Sequence, residues 1–204
     1  MKSIFSENQD IDKTAFVNWR MHDDHILNML NMADGFLTAA IQLGEISLHD
    51  NTYKLADITV FAMLTNANHG IELYLKAMTW SLNEIIGNQI RIEGGHDIEQ
   101  IYRTVRSRIR HYDGQISIQE FNLQTAQLKV YIDELFSKIR TKKSDNMDFS
   151  RYPLNQKYDP HFYVVQAGNV TVDLENFVSR FREIHGKLKV MSEFLFHQEL
   201  NQDW

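Results

Sequence analysis

Arg103-Thr104-Val105-Arg106-Ser107-Arg108-Ile109-Arg110-His111 concentrates four arginines and a histidine in one short stretch. On a helix Arg103, Arg106 and Arg110, at i, i+3 and i+7, share a face. Guanidinium groups so arranged hold phosphates through forked, charge-assisted hydrogen bonds. The chain carries a net charge of −6, so contact with nucleic acid must come from a local patch such as this one. The plainer reading is a solvated face near a helix C-terminus, where positive charge is favoured anyway. No aromatic residue interleaves the arginines, which argues against base stacking.

A second polar stripe, Thr65, His69, Glu72 and Lys76, lies at helical spacing. Glu72 and Lys76 are placed as a helix-stabilising ion pair, worth a few tenths of a kcal/mol when exposed. Asn68 interrupts an apolar stripe, where its amide must find partners or cost about 1–3 kcal/mol; setting helix register comes ahead of lining a polar site. His22-Asp23-Asp24-His25 brings histidines and carboxylates together but lacks a third and fourth ligand, and Glu93 and His96 fall in a glycine turn. Metal binding is not expected, since no helical His/Glu ligand motif is present. Neither a phosphate loop nor a nucleophile elbow nor a dinucleotide fingerprint occurs.

The elements that must position these residues read as five helices. The first spans about Asp12 to Leu43, with Phe16, Trp19, Ile26, Leu30, Ala33, Leu37 and Ala40 at helical spacing and Gly44 as its stop. The second spans about Thr52 to Ile86, on the stripe Phe61, Leu64, Asn68, Ile71, Leu75, Met78, Leu82 and Ile85. Gly94-Gly95 makes a turn into a third helix capped by Asp97, which Asp113-Gly114 ends. Ser117-Ile118-Gln119-Glu120 is a capping box opening a fourth, ending near Arg140. Between residues 141 and 172, Pro153 and Pro160 mark a loop, and Phe162–Val165 with Val170–Val172 predict a small β-hairpin. The last helix spans about Asp173 to Gln198, with Phe177, Phe181, Ile184, Leu188, Met191 and Leu195 in a seven-residue repeat.

The predicted fold is therefore all-α: one domain over residues 1–204, an antiparallel bundle of about five long helices with a hairpin insertion before the last. Two prolines and nine glycines leave room for such helices. The absence of cysteine excludes disulfides and thiolate metal sites and suits a reducing cytoplasm. Met1 to Asp10 is polar, unlike a signal peptide, and no apolar run suits a bilayer crossing. A cytoplasmic location, no membrane and no cofactor are the expectations.

Asn68-His69-Gly70-Ile71-Glu72-Leu73-Tyr74-Leu75-Lys76-Ala77, followed by Gly95-His96-Asp97-Ile98-Glu99-Gln100-Ile101-Tyr102, resembles the HEPN superfamily. There a Gly-Ile-Glu-Leu-x-Leu-Lys-Ala helix precedes a Gly-His-Asp-Leu turn into the next helix. Ser150-Arg151-Tyr152-Pro153 is similar to a feature of some bacterial members. The match covers roughly residues 60–105 and makes Asn68, Gly70, Glu72, Lys76, Gly95, His96 and Asp97 a structural motif. The resemblance implies a helical bundle, often a homodimer, from toxin–antitoxin, phage-defence and stress systems. Many members are metal-independent ribonucleases with an Arg, four to six residues, then His; others have lost the motif and bind nucleotides or partner proteins such as antitoxins.

That spacing occurs at Arg20/His25, Arg91/His96, Arg106/His111 and Arg180/His185. None reproduces the family's full pattern. Arg106/His111, within the basic stripe, is the first choice for a catalytic pair, and Arg180/His185 the second. Histidine as base toward a 2′-hydroxyl and arginine as fixed cation for the phosphorane charge would suit cleavage without metal. The leading expectation is a non-catalytic nucleotide- or RNA-binding or interaction module, with phosphate on Arg103, Arg106, Arg110 and Arg151. The alternatives are a ribonuclease and a structural protein dimerising through the last helix.

Overall fold

The computed structural model describes residues 3–17, 24–139, 151, 154, 157–158 and 170–201. Helix α1 runs His25–His49 and α2 runs Ala56–Ile85. They are followed by α3 (Ile98–His111), α4 (Ile118–Gln124), α5 (Ala126–Ile139) and α6 (Leu174–Phe194), which widens into a π-helical turn over Leu195–Leu200. Short 3-10 turns stand at Ile11–Lys13 and Thr52–Lys54.

Three of the expected boundaries are corrected. The first helix starts at residue 25, where the Asp24 side chain accepts from the Leu27 N–H and supplies the cap that Asp12 would have had to provide. Phe16 is 66% exposed, not core, and Trp19 lies outside the described residues. Gly44 does not stop α1; it is where α6 presses in, and a Cβ there would stand 2.7 Å from a Val178 methyl. Helix α2 begins four residues later than expected because Tyr53 and Lys54 adopt left-handed φ of 58° and 59°, which a right-handed helix excludes.

The expected fourth helix is divided at Thr125. Its buried hydroxyl bonds back to the Phe121 carbonyl at 2.6 Å and meets the Tyr102 hydroxyl at 3.1 Å. Such back-bonding bends helices, and Thr125 leaves the helical region at ψ 13°. The expected hairpin falls partly outside the described residues, and Val170, Thr171 and Val172 form no strand.

Helices α1 and α2 make the most extensive contact. The Phe36 ring meets His69 and the His25 ring meets Trp80. The interval from His25 to Phe36 equals that from His69 to Trp80, so the two helices run antiparallel in one register. Gly70 is what lets them close: a Cβ there would lie 2.7 Å from Leu37 Cγ and 3.1 Å from the Ala33 carbonyl. Helix α6 lies against both, antiparallel to α1, burying Phe177, Phe181, Ile184, Leu188 and Met191 in one continuous core with Leu37, Ile71 and Leu75. No helix among the described residues is long and apolar enough to cross a membrane.

Candidate functional site

Helix α3 is strongly two-faced. Ile98, Ile101, Val105 and Ile109 are buried, which turns the arginines outward at helical period. Asp97 anchors its start, accepting from the Glu99 and Gln100 N–H groups. The bend at Thr125 sets α4 and α5 at an angle beside α3, leaving a cleft of about 550 Å³ lined by Tyr102, Arg103, Arg106, Asn122, Ala126 and Lys129.

Arg106 is half-buried at this cleft, and its Nε donates to Asn122 Oδ1 at 2.8 Å. Among the described residues no carboxylate pairs with it, so the Asn122 amide orients the guanidinium without neutralising it. Arg103 pairs with Glu99 one turn back and is 71% exposed. Lys129 Nζ lies 2.5 Å from the Asp133 carboxylate. The Lys129 pair is a surface one, typically worth about 0–1 kcal/mol, and the Arg103 guanidinium, though paired with the buried Glu99, stays open to solvent, so an incoming phosphate can reach both. The Tyr102 ring is buried with its hydroxyl on Thr125, making the cleft floor aromatic but closed to stacking. Arg110 is exposed one turn beyond Arg106 with no charged partner among the described residues.

The other sequence-derived residues fall as follows. His111 is exposed, and its Nδ1 donates to the Ser107 carbonyl at 2.8 Å, closing the C-terminus of its own helix. Arg106 and His111, five residues apart on one helix, diverge by roughly 140° about its axis, and the structure shows no contact between them. Arg108 makes a two-pronged pair with Glu93, at 2.7 and 3.3 Å. Arg151 is exposed in a turn. Arg180 binds Glu134 on α5 at 2.7 Å, whereas His185 Nε2 lies 2.8 Å from Asp34 on α1. Arg91 rests over the Trp80 ring at 5.9 Å, while Arg20 and His22 lie outside the described residues.

The structural motif forms a charged clasp between α2 and the glycine turn. Glu72, only 4% exposed, meets Lys76 Nζ at 2.7 Å, His96 Nδ1 at 2.9 Å and His69 Nδ1 at 3.9 Å. Burial pushes its carboxyl up, but His69, Lys76 and His96 outweigh that and hold it at about 2. The Glu72–Lys76 pair, expected to be an ordinary surface pair, is thus a largely buried one. Gly94 and Gly95 take φ of 92° and 56°, delivering His96 to Glu72. Asn68 accepts from the Tyr131 hydroxyl at 2.6 Å, tying α2 to α5, while its Nδ2 is buried without a hydrogen-bond partner.

Asn122 and Lys129 in the cleft were missed from sequence, because only the bend at Thr125 brings them beside Arg106. Asp34 was also missed. It gathers the Tyr74 hydroxyl at 3.3 Å, His185 at 2.8 Å and Lys189 at 3.0 Å from three helices. Burial opposes its charge, but Lys189 and His185 hold its carboxyl below the ordinary range, and burial together with Asp34 pushes the Tyr74 phenol well up. Among the described residues, no three His, Asp or Glu side chains gather as metal ligands. Compared with family models, curated proteins and solved structures, the chain finds no match.

Proposed function

We propose that this chain is a HEPN-like module that binds RNA or a nucleotide through its phosphates, in the cleft between α3 and α5, without cleaving it. The observation that carries the reading is Arg106: a half-buried cation aimed by Asn122 and, among the described residues, without a carboxylate, between the solvent-open Arg103 guanidinium and Lys129, held by a surface pair. Arg110 extends the stripe along α3. The non-catalytic reading is supported by the divergence of Arg106 and His111, since a base and a cation serving one phosphate must converge on it. The family resemblance supports a role in a bacterial defence or stress system, with a partner protein such as an antitoxin.

The test is fluorescence anisotropy of a labelled single-stranded RNA against salt. Arg106→Ala should weaken binding, and the slope of log K on log salt should fall by about 0.7 for the lost phosphate contact. The double variant Arg103→Ala/Arg110→Ala should lower it further. Affinity and slope unchanged in all of these variants would remove the cleft from consideration.

A second reading, ribonuclease activity, is favoured by one observation: a carboxylate, Asp34, orients His185, as orienting groups do for catalytic bases. Expression of wild type and His185→Ala decides it. Growth arrest with RNA loss, abolished by His185→Ala, supports cleavage; intact RNA in both supports binding alone.

A further inference from the structure

Beside Arg180 the bundle holds a cavity of about 330 Å³ between α2, α5 and α6. Leu64, Tyr131, Leu135, Phe177 and Phe181 wall it and are all buried, with the Phe181 ring touching both Tyr131 and Phe177. The Tyr131 hydroxyl already donates to Asn68. The charges stand at the rim. Arg180, its side chain 18% exposed, donates to Glu134 at 2.7 Å, and Glu134 is 59% exposed. Lys138 and Asp173 add one charge of each sign, and Asp173 is engaged in capping α6 through the Asn176 N–H. An apolar chamber thus opens beneath an adjacent cation and anion.

We infer that this cavity binds a free α-amino acid with a large apolar side chain, such as phenylalanine or leucine. The volume lies at the low end of the roughly 300–1,000 Å³ of small-ligand sites, which suits a molecule of amino-acid size. The side chain enters between the aromatic and aliphatic walls, where burial of hydrocarbon supplies the attraction. The carboxylate takes a forked pair of hydrogen bonds from Arg180, and the ammonium turns to Glu134. The occupant is argued from charge. An acid lacking the ammonium would face Glu134 as a like charge, and an amine lacking the carboxylate would face Arg180, each unfavourable. A zwitterion answers both members of the pair at once. A polar side chain would give up its water for four hydrocarbon side chains and an engaged tyrosine. The inference does not rest on the phosphate-binding reading, because the cleft uses α3 and the start of α5, and the cavity the other end of α5.

Isothermal titration calorimetry of the full chain tests it. L-phenylalanine and L-leucine should bind, and L-lysine and L-glutamate should give no heat. Phenylacetate and phenethylamine, each lacking one charged group, should bind at least ~10-fold more weakly than L-phenylalanine. Glu134→Gln, at an exposed position, and Arg180→Gln should each weaken L-phenylalanine binding about 10-fold. Should Arg180→Gln fail to fold, Ser137→Trp, at an exposed position on the rim, should abolish binding by closing the mouth while leaving the core untouched. No heat from either apolar amino acid at about 5 mM, phenylacetate binding as tightly as L-phenylalanine, or affinity unchanged in Glu134→Gln and Ser137→Trp overturns the inference.

Discussion

Glu72→Gln removes one charge from the clasp between α2 and the glycine turn while keeping its shape. The wild-type carboxyl, held at about 2 instead of 4.5, favours the folded state by about 3 kcal/mol at 1.36 kcal/mol per tenfold. His96, 73% exposed, opens one side to water, and screening there reduces the figure to about 2 kcal/mol. Because the folded value is depressed, this stability is fully present above pH 4.5 and is lost as pH falls through about 2. Urea unfolding followed by circular dichroism should therefore find the variant about 2 kcal/mol less stable at neutral pH. The gap should narrow between pH 4.5 and 2 as the wild-type carboxyl becomes neutral. Equal stabilities at neutral pH, or a gap that persists undiminished at pH 2, would refute the account of a buried carboxylate held by Lys76 and two histidines.

Four further outcomes follow from particular positions. Gly70→Ala should lower the urea midpoint, costing about 1–3 kcal/mol as the new methyl meets α1 backbone. Gly186→Ala, where a Cβ meets nothing within 4 Å on exposed α6, should raise it by about 0.5–1 kcal/mol. Tyr131→Phe should cost about 1–3 kcal/mol by leaving the Asn68 amide wholly unpartnered, and adding Asn68→Leu should restore much of it. Asp97→Ala should cost about 1 kcal/mol in the same assay by uncapping α3.

What was legible in the sequence was local chemistry. The caps at Asp97 and Ser117 hold as read, because a side chain and an N–H two or three residues on need no tertiary context. Gly70 stood in the motif, but its closeness to α1 emerges only where Leu37 and Ala33 face it. Misreadings arose where distant residues decide. Thr125 bends its helix where its hydroxyl both bonds back to Phe121 and meets Tyr102 from α3, and Gly44 continues α1 where α6 packs against its empty side. The polar hub at Asp34 draws on residues 151 and 155 positions away, beyond any motif. Within the basic stripe, periodicity set which arginines point outward. It did not show that Glu99 claims Arg103, or that Asn122 reaches Arg106 across the cleft.

Arg182 pairs with Glu45 across 137 positions, so the helix that completes the core is synthesised long after the first. The α1–α2 hairpin can zip early from neighbouring contacts, yet its groove for α6 must wait, with Leu37 and Leu75 uncovered, for some hundred further residues. Through that interval the nascent chain presents bare hydrocarbon flanked by an unanswered Asp34. Truncations that delete the final helix should accordingly be far more prone to chaperone capture than equally long deletions from the amino-terminal arm.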